Sequence, residues 1–159
     1  MTATILPLIS LFLAGIAVGG SFVPRFPSVP VAFIALLLSY FAPSTGITGS
    51  MLAFWAVASA LATGINFLHP KALTGTSHGH AYVAGGTLTG TIAGLAITAA
   101  TATLGACLGA FLGALAYMRT PASPRFPVAS SQFVQYLAAK GLPDVLTCVM
   151  AALVIAAFC

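Results

Sequence analysis

The chain has one acidic side chain, Asp144, and the residues around it are largely apolar. An ionisable group inside a membrane is costly to bury, which makes it a candidate for binding a proton or another ion. Lys140, one helical turn upstream, is its expected partner, and Asn66 in the third apolar stretch is a second candidate coupling group. The alternative is structural, because an acid that follows Pro143 in the first turn of a helix is favoured there by the helix dipole.

Three histidines are the other residues that could do chemistry. The segment His78-Gly79-His80, with His69 nearby, offers imidazoles to a metal ion, but zinc sites use four protein ligands, or three and a water molecule. No cysteine or second acid completes such a set, so His78 and His80 are weak candidates. We expect a solvated loop here, with no metal and no other cofactor.

Nucleophilic catalysis has little support in this sequence. Ser77 and His78 are the one adjacent serine–histidine pair, and neighbours in sequence rarely face each other productively. A serine hydrolase also needs an orienting acid beside its histidine. Since Asp144 is the only acid, the sequence predicts that the protein is not an enzyme.

Composition indicates which class of protein holds these groups. Of the 159 residues, 60% are hydrophobic and 4% are charged, whereas a soluble domain carries about a quarter charged residues. This excludes a soluble globular domain. Disorder requires low hydrophobicity, and nucleic-acid binding requires a dense basic surface, so both are excluded as well. The class that remains is a polytopic membrane protein with a single domain, 1–159.

The apolar runs predict an all-α fold, a polytopic bundle of about six transmembrane helices. One helix across the uncharged stretch 81–118 would be nearly twice as long as the hydrocarbon core. We therefore expect a tight turn at 98–103, where threonine lowers the helix propensity. The segment 130–140 is expected to be a short interfacial or re-entrant helix. The predicted spans are 5–23, 29–42, 47–68, 82–98, 104–118 and 143–158.

The basic residues give this topology an orientation. With six spans, one side of the membrane receives Arg25, Lys71, Arg119, Arg125 and Lys140, and the other side receives no charged side chain. Positively charged loops stay in the cytoplasm. We expect a multi-pass protein of the bacterial inner (cytoplasmic) membrane with its basic loops cytoplasmic and both termini outside the cytoplasm.

Two rows of glycine with a spacing of four indicate close helix packing. The rows are Gly86, Gly90, Gly94 and Gly105, Gly109, Gly113. This spacing stacks each row on one helix face, and helices in lipid associate where small residues let their backbones touch. The rows could pack the fourth helix on the fifth within one chain, or one row could face outward and form a homo-oligomer.

The tetrapeptide Pro-Arg-Phe-Pro occurs at 24–27 and again at 124–127. One interpretation is a pair of sites for lipid headgroups, in which Arg25 and Arg125 reach phosphate while Phe26 and Phe126 lie at the acyl boundary. The other is chance reuse of a sequence that suits an interfacial loop. Membrane lipids are expected partners, and nucleic acids are not.

The sequence resembles the bacterial membrane proteins grouped as domain-of-unknown-function family 456. The similar stretches are Gly19-Gly20-Ser-Phe-Val-Pro24-Arg-Phe-Pro27, Gly75-Thr-Ser77-His-Gly and the run from Gly85 to Gly113, which is similar to the family's glycine-zipper hairpin. The chain departs from the family at Pro27-Ser28, where the family usually has Pro-Gly, and at the hairpin bend, where the family often has proline. The resemblance implies a small integral membrane protein and no particular activity.

Together these patterns predict a small multi-pass membrane protein that self-associates through its glycine rows and handles lipid or an apolar ligand. Two alternatives remain open. One is a small-solute or ion-coupled transporter that uses Asp144, and the other is a non-catalytic accessory subunit of a membrane complex.

Overall fold

The computed structural model describes residues 2–23, 26–43, 45–68, 77–121 and 130–158, and the side chains of 2–4, 66–68 and 77–78 lie outside this description. Every regular element in the described ranges is helical, which confirms the all-α prediction. The elements are α1 (Thr2–Gly20), α2 (Ser28–Phe41), α3 (Gly49–Leu68), α4 (Ser77–Leu95), α5 (Ala99–Met118), α6 (Ser131–Tyr136) and α7 (Leu142–Phe158), with a π-helical turn, Leu137–Gly141, joining α6 to α7.

Two helical segments among the described residues are long enough and apolar enough to cross a membrane, Ala99–Met118 and Ser131–Phe158. Three further apolar segments are shorter: Ile5–Gly20, Ser28–Phe41 and Gly49–Ile65. A helix that crosses the hydrocarbon core needs about 20 residues, and fewer where the bilayer thins. The described helices are thus compatible with a membrane, and the six-span topology stays a prediction.

The turn between α4 and α5 lies earlier in the chain than the sequence predicted. Helix α4 ends at Leu95 and α5 begins at Ala99. The Thr98 hydroxyl accepts a hydrogen bond from the Thr101 N–H (3.1 Å), and the Thr101 hydroxyl accepts one from the Thr98 N–H (3.0 Å). These threonines form a capping box that satisfies the free amides of a helix start, so they begin α5 where the sequence predicted an interruption.

The last span also differs from its prediction, because the helical segment runs unbroken from Ser131 to Phe158. The Leu142 N–H bonds to the Leu137 carbonyl oxygen, five residues earlier, as in a π turn. Pro143 has no N–H, and its ring would clash with the preceding turn of a regular α-helix; the wider π turn gives it room. Asp144 consequently lies near the midpoint of a continuous helical segment, away from a helix end.

Helix α7 occupies the centre of the fold and contacts α1, α2, α3, α4 and α5. The main core lies around α1, α2 and α7 and consists largely of small side chains, such as Ala17, Ala32 and Ala35. A second core joins α4, α5 and α6 and contains the rings of Tyr117 and Tyr136. The central position of α7 brings its side chains into contact with both halves of the molecule.

Large apolar side chains lie on the outside of the bundle. Leu8, Phe12, Phe54, Leu104 and Leu108 are each between 64% and 70% exposed, whereas the buried positions are filled mostly by alanine, serine, threonine and glycine. In water-soluble proteins leucine and phenylalanine are among the residues most often buried. The observed distribution instead matches helices that pack through small residues and present large ones to lipid.

Candidate functional site

The two glycine rows face each other across the contact between α4 and α5. A β-carbon added to a glycine of either row would overlap the backbone of the facing helix. The overlaps are Gly86 with Gly109, Gly90 with Gly105, Gly94 with Thr101 and Gly113 with Tyr82. The two backbones therefore touch along both rows, within one chain. We call this contact the glycine seam.

On its outer side, the glycine seam leaves an open apolar groove of about 560 Å³. Ile97, Leu104, Leu108 and Leu112 line the groove, and all four side chains are more exposed than buried. The groove holds no charged or titratable side chain among its lining residues. Its chemistry suits contact with hydrocarbon and little else.

A cluster of ionisable side chains lies where α4, α6 and α7 meet. Asp144 is 1% exposed, and its Oδ2 lies 4.0 Å from Nδ1 of His80, whose side chain is 14% exposed. The Lys140 ammonium, in the π turn, interacts electrostatically with the same carboxyl group. The described residues show no ion pair between Lys140 and Asp144, so that pairing stays a prediction, and Lys140 lies within a helical segment and not in a basic loop. We call His80, Tyr136, Lys140 and Asp144 the acid cluster.

Several polar atoms of the acid cluster have no hydrogen-bond partner among the described residues. They are both carboxyl oxygens of Asp144, Nδ1 of His80 and the hydroxyl of Tyr136. The Ser21 hydroxyl also faces the carboxyl group, but it donates to the Ala17 carbonyl oxygen (3.3 Å). Leaving a buried polar group unpaired costs about 1–3 kcal/mol. A proton or a small ion bound between Asp144 and His80 would relieve part of that cost.

Aromatic rings close one side of the acid cluster. Tyr136 stacks on Tyr117 with their ring centroids 6.0 Å apart and an interplanar angle of 18°. Gly79, in the first turn of α4, allows both rings to approach, since a β-carbon there would overlap the Tyr136 hydroxyl and crowd the Tyr117 ring. Residues 77–80 are thus helical, which corrects the prediction of a loop at His78 and His80, and the His80 side chain is only 14% exposed.

The pairing of His80 with Asp144 was not predicted from the sequence, although a signal for it was present. Thr87 and Thr91 are buried on α4, and His80 precedes them at helical spacing, which places it on the same face. That signal appears only when α4 is extended back to Ser77. Among the described residues, no group of three His, Cys, Asp or Glu side chains could hold a metal ion.

The structure describes only part of the predicted lipid-headgroup site and of the other predicted site residues. Phe26 is 36% exposed, and its ring folds back against Gly20. The backbone of Asn66 belongs to α3. Outside the described residues or side chains lie Arg25, Arg125, Phe126, the Asn66 side chain and the His78 side chain. The lipid-headgroup site therefore stays a prediction.

Comparison with known proteins finds no matching family model, no matching curated protein and no matching solved structure. The resemblance to family 456 accordingly stays a prediction, and the geometry of the acid cluster is the basis for a functional proposal.

Proposed function

We propose that the protein is a polytopic integral membrane protein that binds a proton or a small cation at Asp144 and couples this binding to the movement of a small solute. One observation carries the proposal. The only carboxyl side chain of the protein is 1% exposed, has no hydrogen-bond partner among the described residues and lies near the midpoint of the longest apolar helical segment. Ionisable groups in such positions mark ion and proton pathways.

The arrangement of side chains supports a location within lipid. Large apolar side chains cover the outside of the bundle, small ones fill its interior, and two segments have the length and hydropathy of membrane spans. The topology that we propose has six spans in a bacterial inner membrane. Its cytoplasmic side carries Arg25, Lys71, Arg119 and Arg125. Lys140 lies in the π turn near Asp144 and does not belong to a loop. The four other basic residues are sufficient to give the same orientation.

The position of Asp144 suits the coupling of ion binding to a change in helix packing. Removing a carboxylate from water costs several kcal/mol unless a proton or an opposite charge compensates it. Asp144 belongs to the central helix α7, His80 to α4, and Lys140 to the π turn, so loss of the ion would alter contacts among three elements at once. π turns inside α-helices occur frequently at functional sites.

Chemical labelling tests the proposal directly. A hydrophobic carbodiimide reacts with protonated carboxyl groups inside membranes, and Asp144 is the only acidic side chain that can react. We expect one adduct on Asp144 by mass spectrometry, with labelling that increases at low pH and disappears in Asp144→Asn. Repeating the reaction in sodium, lithium and choline chloride shows whether a cation protects the carboxyl group. Labelling that is absent at every pH, or equally fast in all conditions, would contradict ion binding.

Transport requires a second measurement, in proteoliposomes that enclose a pH-sensitive dye. A potassium diffusion potential, negative inside, should drive acidification of the lumen in wild-type vesicles at a rate at least several-fold above that of Asp144→Asn vesicles. Equal rates for the two proteins would leave Asp144 as a buried acid without a role in ion movement.

The groove on the outer side of the glycine seam favours a second candidate function, the handling of lipid or another apolar ligand. The groove is open and apolar and lies between α4 and α5, and α5 is one of the two segments that could span a membrane. We propose a lipid acyl chain as its occupant. A nitroxide on the exposed Cys107, next in sequence to the groove residue Leu108, in a Cys159→Ser background, should then collide readily with oxygen and rarely with a water-soluble nickel complex. Oxidative cross-linking of Cys107 between two chains would instead identify a second copy as the occupant.

A further inference from the structure

We infer that the ion bound at Asp144 is a proton and that His80 relays this proton between the aqueous phase and the carboxyl group. The inference rests on the proposed function, in which Asp144 binds an ion, and it adds the identity of the ion and its route.

The groups that surround Asp144 favour a proton over a metal cation. The titratable groups that act on the carboxyl group or its immediate neighbours are His80 from α4, Tyr117 from α5, Tyr136 from α6, Lys140 from the π turn and Cys148 from α7. The end of α1 contributes the Ser21 hydroxyl. These groups include a cationic ammonium and, among the described residues, no second carboxylate.

A bound metal cation would need more oxygen ligands than this cluster offers. Calcium takes six to eight oxygen ligands and magnesium requires an octahedral set, whereas Asp144 supplies one carboxyl group and Lys140 repels other cations. A proton needs a single lone pair and forms a covalent O–H bond, which removes the charge of the buried carboxylate. The cluster therefore does not suit calcium or magnesium, whereas it offers all that a proton requires.

His80 is placed to carry a proton to Asp144. The carboxyl group is 1% exposed and the His80 side chain is 14% exposed, so the imidazole is the one of the two groups that water can reach more easily. Nδ1 lies 4.0 Å from Oδ2 and has no hydrogen-bond partner among the described residues. A hydrogen bond requires about 2.7–3.2 Å, so an approach of about 1 Å brings the two atoms into transfer distance.

The hydrogen bonds of His80 indicate how the proton is held. The backbone of Ser21 acts on the ring as a hydrogen-bonding group, and Nδ1 has no partner among the described residues. A neutral imidazole that donates from Nε2 leaves the Nδ1 lone pair free to accept the proton of a neutral Asp144. The pair thus shares one proton. Either the Asp144 O–H faces Nδ1 of a neutral His80, or the Asp144 carboxylate faces the Nδ1–H of a protonated His80.

The release step balances with water as the final acceptor. The Oδ2–H bond breaks as the Nδ1–H bond forms, which gives an imidazolium beside a carboxylate. The imidazolium then loses its Nε2 proton to water and returns to a neutral ring. Uptake is the reverse sequence, with hydronium as the donor. Histidine is suited to this role because both of its nitrogens can carry a proton near neutral pH.

Infrared spectroscopy of the full-length protein in lipid tests the relay. Asp144 is the only carboxyl side chain, so the carboxylic acid C=O band that is lost in Asp144→Asn belongs to it. In deuterated buffer this band shifts as the proton exchanges. We expect exchange at least tenfold slower in His80→Gln, which keeps a polar side chain but cannot be protonated. His78→Gln, two residues away in the same helical turn, is the matched control and should exchange at the wild-type rate.

Chemical rescue separates a relay from a structural role. Exchange should be slow in His80→Gly and should recover towards the wild-type rate when imidazole is added, provided that circular dichroism shows the wild-type helix content. Wild-type exchange rates in His80→Gln would overturn the relay while leaving ion binding at Asp144 intact. Loss of the acid band on adding sodium chloride at constant pH would overturn the proton as the ion. A wild-type spectrum with no Asp144 acid band at any pH would remove protonation of Asp144 from the proposed function as well.

Discussion

Along the glycine seam, α4 and α5 approach until their backbones touch. Around Asp144, polar side chains from several elements meet, and four of their polar atoms have no hydrogen-bond partner in the part of the chain that the structure describes. Close backbone packing is a source of stability for helices in lipid, whereas unpaired buried polar groups reduce stability and persist at functional sites. Substitutions in the two regions should therefore separate stability from ion binding.

Gly90 offers the strongest test of the seam. Gly90→Ala places a methyl group on the Gly105 carbonyl oxygen, and overpacking of this kind costs about 1–3 kcal/mol. Gly90→Leu should prevent folding. Gly15→Ala is the matched control, because nothing lies within 4 Å of a β-carbon there and replacing a helical glycine by alanine gains about 0.5–1 kcal/mol. The melting temperature in detergent is the measurement. An equal fall in this temperature for Gly90→Ala and Gly15→Ala would contradict the comparison.

Thr98→Ala should produce a smaller loss at the end of the same hairpin. The substitution removes the hydroxyl that accepts the Thr101 N–H, and loss of such a cap costs about 1 kcal/mol. Thr89→Ala on α4 is a suitable control, since the Thr89 hydroxyl bonds only within its own helix and is exposed. The melting temperature of Thr98→Ala should lie between those of Gly90→Ala and wild type. A fall as large as that of Gly90→Ala would show that the turn contributes as much to the stability of the hairpin as the seam does.

The smallest change in stability is expected in the acid cluster. Tyr136→Phe removes a buried hydroxyl that has no partner among the described residues and keeps the stacked ring. Deleting an unpaired polar group leaves stability unchanged or raises it by about 1 kcal/mol. A melting temperature at or above wild type is the expected result. Destabilisation as large as that of Gly90→Ala would show that the hydroxyl has a partner and that the cluster contributes to the fold.

Patterns within one stretch of sequence predicted the features that depend on the geometry of a single helix, such as which residues share a face. The spacing of four among the glycines was sufficient to place Gly90 on a packing face, because helix periodicity fixes that face wherever the helix lies. The contact between His80 and Asp144 joins residues 64 positions apart, and no periodicity encodes it. Thr98 and Pro143 were misjudged for a related reason. Both residue types are unfavourable within regular helix, but one caps a helix and the other follows a π turn.

The π turn has a further consequence, in the rotational phase of the last helix. An α-helix turns by about 100° per residue, and a π turn contains one more residue than an α turn. Faces before and after Leu137–Gly141 are therefore out of phase by about that angle. Phe133 and Tyr136 face α4 and α5, while Val149 and Val154 face the core around α1 and α2. Deleting Ala138 would remove this extra residue, so the segment should close into a regular α-helix with Asp144 still facing His80 and with the Pro143 ring crowded against the preceding turn.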